Sequence, residues 1–105
     1  MVLIKAIMRP EKSAKVVGEL YKAGFSAVTK MSVDGRGNEN SVTSDIGFLD
    51  EQPKTLLYIV CSDDDKDTIV KIIMTHARTG EHGDGKIFIS AVEEAYTIST
   101  GEKGL

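Results

Sequence analysis

The stretch of this 105-residue chain best suited to chemistry is Gly80-x-x-Gly83-Asp84-Gly85-Lys86. Glycines let successive backbone amides approach an anion, and a lysine beside them adds a point charge, so the pattern suits a phosphate cradle. It is not a P-loop, because Ile87 to Val92 after it is strand-like and no helix opens there. A plain glycine turn between a helix and a strand accounts for the same residues equally well. Other chemistry is poorly supplied. His76 and His82 lack a neighbouring cysteine or a further histidine at ligand spacing, so no zinc site follows. No Ser, Cys or Thr stands in an elbow-like glycine frame with a candidate base. Asp63, Asp64 and Asp65 read as acids at a helix N-terminus rather than metal ligands. Cys61 ends the apolar run Leu56-Leu-Tyr-Ile-Val-Cys61 and reads as a buried structural thiol; as the single cysteine it builds no disulfide.

Hydrophobic spacing gives the elements that must position the glycine segment. Val2 to Met8 is a short β-prone run ended by Arg9-Pro10, since proline cannot continue a ladder. Pro10 suits the first position of a helix, and Val16, Val17, Leu20 and Tyr21 recur at helical spacing before Gly24, which predicts a helix over about 11–23. Phe25 to Val33 alternates and predicts a second strand, broken at Asp34-Gly35. Lys54 to Cys61 predicts a third strand. Ser62 to Asp65 predicts an N-cap with a capping-box acid for a helix over about 64–78, with Ile69, Ile72, Ile73 and Ala77 buried. Ile87 to Val92 predicts a fourth strand, and Tyr96-Thr-Ile98 a last short one. The order is βαββαβ, the ferredoxin-like split unit of the α+β class.

Between the second and third strands, Gly35 to Pro53 is long for a loop in a compact domain, and loops of that length are usually functional or disordered. It sets Arg36 against Glu39, Asp45, Asp50 and Glu51, a net charge of −3 that equals that of the whole chain. With 105 residues and 41% hydrophobic content the chain suits one domain over 1–105. Its cations are scattered, which argues against nucleic acid or an anionic membrane as a partner. It carries no apolar run long enough to span a bilayer, and Met1-Val-Leu-Ile-Lys5 is too short for a secretory leader, so a soluble cytoplasmic protein is expected.

The full stretch Thr79-Gly-Glu-His-Gly83-Asp84-Gly85-Lys86-Ile87-Phe88, with Ile89 and Val92, resembles the C-terminal signature of the PII signal-transduction family. Ile7-Met-Arg-Pro10 resembles the end of that family's first strand, Gly35-Arg36-Gly37 the start of its T-loop, Pro53-Lys54 the end of that loop, and Thr100-Gly101 its C-terminal segment. The resemblance covers essentially the whole chain. It implies a homotrimer with nucleotide sites in the clefts between subunits, a T-loop over about 37–53 as the arm that docks on a target, and a B-loop over about 79–86. It implies that Thr79, Gly83, Asp84, Gly85 and Lys86 surround the phosphates of ATP or ADP. Thr29 and Gly35 match positions near base and ribose, Arg36 and Gly37 the loop's hinge, and Lys54 the lysine that meets a carboxylate of 2-oxoglutarate. The implied protein is a regulator and not an enzyme.

Three positions depart from the family's pattern. Thr97 and Ser99 stand where two arginines usually clamp the nucleotide phosphates. Each such charge-assisted bond is worth roughly 1.5–3 kcal/mol, so the pair is worth on the order of 100- to 10,000-fold in affinity. Glu39 stands where the family has a glutamine that binds metal and 2-oxoglutarate; a carboxylate can ligate Mg but repels a dicarboxylate. The loop also lacks the tyrosine that some members have modified. Ala77-Arg78-Thr79-Gly80 and Tyr96-Thr-Ile98 look most like the branch encoded with nitrogenase genes in methanogens and some anaerobes, which implies nitrogenase and a second PII-like subunit as partners. The rival class for the same fold is a small phosphate-handling enzyme such as an acylphosphatase-like hydrolase, for which Arg9 is present but its glycine frame is not. A third reading is a trimeric interaction module that binds no ligand.

Overall fold

The computed structural model describes residues 1–36 and 51–105. Gly37, Glu39 and most of the segment expected to be the T-loop lie outside the described residues. The elements run β1 (Val2–Met8), α1 (Pro10–Lys22), β2 (Thr29–Gly35), β3 (Gln52–Cys61), α2 (Lys66–Ala77) and β4 (Gly85–Ala91). The strands form one sheet in the order β2-β3-β1-β4, with every neighbouring pair antiparallel. This is the expected ferredoxin-like α+β arrangement.

Alternation along the two central strands decides which face carries the core. Ile4, Ala6 and Met8 of β1 are buried, as are Leu57, Ile59 and Cys61 of β3, and the register pairs Ile4 with Ile59 and Ala6 with Leu57. Both helices cover that face. α1 presents Ser13, Val16 and Leu20, spaced to share one side of the helix, and α2 presents Ile69, Ile73 and Ala77. Buried Ser13 donates to the Pro10 carbonyl at 2.9 Å, so its hydroxyl is satisfied inside the core. Cys61 is buried and free, as the apolar run before it implies, and burial pushes its thiol pKa up. Among the described residues, no helix is long and apolar enough to cross a membrane.

Among the described residues, no helix lies over the opposite face of the sheet. The alternation and register place Leu3, Val60 and Ser90 in one row there, Lys5, Tyr58 and Phe88 in the next, and Ile7, Leu56 and Lys86 in a third, with Met31 and Val33 toward the β2 edge. Phe88, Val60 and Met31 are exposed. The Lys5 ammonium lies 5.5 Å from the centre of the Tyr58 ring, a cation–π contact in the middle of this largely apolar surface.

Four expectations are corrected. The second strand begins at Thr29, not Phe25. Gly24, at φ +93°, ends α1 in a Schellman-type turn in which the Phe25 amide donates to the Leu20 carbonyl at 2.8 Å. Phe25 and Val28 pack on the core from this link, so their alternation records the wrap of a helix end. The capping box at Ser62 does not form: the Ser62 hydroxyl donates to the Asp65 carboxylate at 3.1 Å, and Asp65, the N-cap residue, makes no side-chain bond to the helix amides. α2 therefore starts at Lys66, and it stops at Ala77 because Arg78 is extended. The third strand starts earlier, at Gln52, and includes Pro53; there β3 pairs with β2 alone, so proline's missing donor breaks no ladder to β1. Finally, Tyr96 to Ile98 is not a strand. Tyr96 makes one bridge, to Lys103, and the tail folds on itself through Thr97 N–H to Glu102 O at 2.9 Å and Gly104 N–H to Ala95 O at 2.8 Å.

Leu57 is fully buried, so Leu57→Ala is expected to cost about 2–5 kcal/mol in a urea titration. Tyr21→Ser, at a side chain 70% exposed on α1, is expected to stay within about 0.5 kcal/mol.

Candidate functional site

The β1–β4 register determines where the glycine segment sits. Met8 pairs with Gly85, so the last residue of β1 lies against the first of β4, and the loop from Arg78 to Asp84 closes above that junction. Gly85 has φ +108°, and a Cβ there would stand 1.8 Å from the Ile7 carbonyl oxygen, so only glycine allows the two strands to meet. Arg9, the next residue after β1, is extended at φ −60°, ψ 135°, the region imposed on a residue before proline. Its side chain therefore leaves a rigid base and turns into the loop.

The loop is wound around one carboxylate. Asp84 Oδ2 accepts the Thr79 and Gly80 amides, each at 2.8 Å, while Oδ1 accepts the Thr79 hydroxyl and, at 3.1 Å, Arg9 Nε–H. The Thr79 oxygen in turn accepts the Glu81 amide at 3.1 Å. These donors hold the Asp84 carboxyl well below the usual carboxylate range: the Thr79 hydroxyl contributes most, then the Thr79 and Gly80 amides and Arg9, working against partial burial. Two cations approach the loop from the side. Arg9 Nη2 donates to the His82 carbonyl at 2.6 Å, and the Lys54 ammonium donates to the Gly83 carbonyl. A Cβ on Gly83, which has φ +94°, would lie 3.4 Å from Arg9 Nη2 and 3.5 Å from Lys54 Nζ, so both cations crowd the same backbone position.

Of the residues singled out in the sequence, Thr79, Gly83, Asp84, Gly85, Lys86 and Lys54 come together. Gly35 joins them through Lys54, whose Cγ would stand 3.2 Å from a Cβ on that glycine. The two ends of the long loop thus converge beside the cradle, with Arg36 exposed at the end of β2. Thr29 is not with them. It pairs with Tyr58 at the other end of β2, and three strand spacings, about 14 Å, separate the β2 and β4 edges across the bare apolar face. Gly37 and Glu39 lie outside the described residues. Among the described residues, no group of three His, Cys, Asp or Glu side chains could hold a metal ion.

The contacts of Arg9 with Asp84 and the His82 carbonyl were not foreseen from the sequence. A basic residue at a strand end and a single acid inside a glycine segment were the available signals, but only the β1–β4 register brings them together. Chemically the arrangement leaves the exposed Lys86 beside a loop whose Thr79 and Gly80 amides are already bonded to Asp84. Among the described residues, it aligns no nucleophile with a base.

Because the folded pKa of Asp84 is depressed, its contribution is present above the unfolded carboxylate value, about 4, and is lost as pH falls below it. Amide exchange protection at Thr79 and Gly80 is expected to hold level at neutral pH and to decline in acid, and Asp84→Asn is expected to abolish that acid dependence. Gly85→Ala is expected to destabilise the fold by about 2 kcal/mol or more, measured by thermal unfolding.

The family model described as nitrogen regulatory protein P-II matches residues 1–102. The chain is 50% identical over 105 residues, all of both chains, to a protein of Methanothermobacter marburgensis named nitrogen fixation nifHD region GlnB-like protein 1. It is 48% identical, again over all of both chains, to the protein of the same name from Methanothermococcus thermolithotrophicus. It is 45% identical to the nitrogen regulatory protein P-II 2 of Methanothermobacter thermautotrophicus, across 96% of this chain and 91% of that one. With a family match over nearly its whole length and relatives near half identity, this chain belongs to the nitrogen regulatory protein P-II family.

Proposed function

We propose that this chain is a non-enzymatic, cytoplasmic signal transducer that binds ATP or ADP at clefts between the subunits of a trimer and acts on a target through residues 37–53. The observation that carries the reading is the loop wound on Asp84, which leaves Lys86 exposed at the start of β4 in a chain of this family. Phosphates would rest on the Gly83 to Lys86 segment. Thr29 is a separate sheet edge away, which favours a cleft completed by a second subunit over a site within one chain. The uncovered apolar face, with Leu3, Ile7, Leu56, Val60 and Phe88, supplies a surface for that assembly.

A carboxylate effector, 2-oxoglutarate being the family's example, would compete with the Gly83 carbonyl for the Lys54 ammonium. Lys54 is the third residue of β3, close to the end of the long loop, so the exchange would alter that loop's base. Glu39 would serve a nucleotide-bound Mg rather than the dicarboxylate. Signal transfer requires only that the ligand bind one loop conformation better than another. The net charge of −3 over residues 35–53 suits a basic target surface. The relatives named for a nifHD region favour nitrogenase, or a second PII-like subunit acting with it, as that target.

Calorimetric titration with ATP, ADP, AMP and 2-oxoglutarate, with and without Mg, tests the ligand assignment. Saturable binding of ATP or ADP is expected, together with a native mass of three 11.4 kDa chains. Absence of any nucleotide binding would overturn the sensor reading and favour a docking module that needs no ligand.

A further inference from the structure

The Asp84 carboxylate presents the cradle with an electrostatic problem. It sits inside the loop that would receive phosphate, and it is ionised because the loop's own donors favour the charged form. An uncompensated negative charge at that position repels the anion the loop is shaped to take. Arg9 is the cation that answers it. Its Nε–H donates to Asp84 at 3.1 Å, its Nη2–H to the His82 carbonyl at 2.6 Å, and the two side chains are 26% and 22% exposed, so the contact is not a solvent-flexed surface pair. One planar fork thus bonds two points of the loop while fixed by the extended backbone ahead of Pro10.

We infer that Arg9 is a positioning residue for the anion cradle: anchored at the junction of β1 and α1, it neutralises Asp84 and fixes the 79–85 loop in its receptive shape without contacting the ligand. This rests on the nucleotide reading above and adds the residue that makes the loop competent. It accounts for the choice of arginine, since a lysine places a charge near Asp84 but cannot span both Asp84 and His82 with one rigid group. It also separates two kinds of cation at the site. Arg9 acts behind the loop, and Lys86 acts toward the ligand.

The test compares the full chain with Arg9→Met, Arg9→Lys and Lys86→Gln, reading ADP affinity by calorimetry and amide exchange residue by residue. Exchange at Ile4 and Leu57, in the core, serves as the internal control for folding. Arg9→Met, which removes both bonds to the loop, is expected to accelerate exchange at Thr79 and Gly80 and to weaken ADP about tenfold through the loss of loop order. Arg9→Lys is expected to recover part of both. Lys86→Gln is expected to weaken ADP while leaving exchange at Thr79 and Gly80 unchanged. Unaltered exchange at those two amides in Arg9→Met would overturn the proposal, as would accelerated exchange with ADP affinity preserved. If the unsubstituted chain binds no ADP, it is the nucleotide reading that fails, and the exchange comparison still decides whether Arg9 holds the loop.

Discussion

The pairing of Gly85 with Met8 is the constraint from which the site follows. The absence of a Cβ at Gly85 lets β4 start directly against the end of β1, beside the Ile7 carbonyl. That contact sets the height at which the loop leaves α2, and it brings Arg9 within reach of Asp84, a residue 75 positions away in the chain. The carboxylate then gathers the Thr79 and Gly80 amides. A backbone approach in the sheet is thereby converted into an ordered loop, and an anion bound beside it would meet a lower ordering cost.

The same sheet ties the cradle to the segment between β2 and β3. Gly35 and Lys54 close the two strands that flank the segment, and the Lys54 ammonium reaches over to the Gly83 carbonyl. A change at the cradle therefore has a short covalent and hydrogen-bonded route to the base of the acidic segment. On the far side from the helices, the apolar face of the sheet shares its outer row with Lys86. Assembly through that surface and ligand binding at the edge of β4 would be physically adjacent events.

Much of this was legible from spacing. The alternation in Val2 to Met8 and Lys54 to Cys61 gave the two central strands, and the stripe of Ile69, Ile73 and Ala77 gave the buried side of α2. Where the reading missed, a local pattern had a non-local cause. Phe25 and Val28 are apolar because they wrap the end of α1, and Ser62 bonds to Asp65's side chain because the chain turns once more before the helix. Tyr96 to Ile98 pairs with the chain's own tail rather than the sheet. The glycine segment was legible as a loop, but its glycines have different reasons: Gly85 admits a neighbouring strand, and Gly83 takes a positive φ. No sequence pattern linked Arg9 to Asp84, since their contact exists only once β1 and β4 are in register.

If Asp84 is the loop's internal anion, a ligand's phosphates bind outside it. A crystal structure of the complex with ADP tests this most directly. The account predicts phosphate oxygens within hydrogen-bond distance of Lys86 and the neighbouring loop amides, with the Asp84 carboxylate still on Thr79, Gly80 and Arg9. Phosphate found in place of the Asp84 carboxylate on the Thr79 and Gly80 amides, or bound away from the loop altogether, would contradict it.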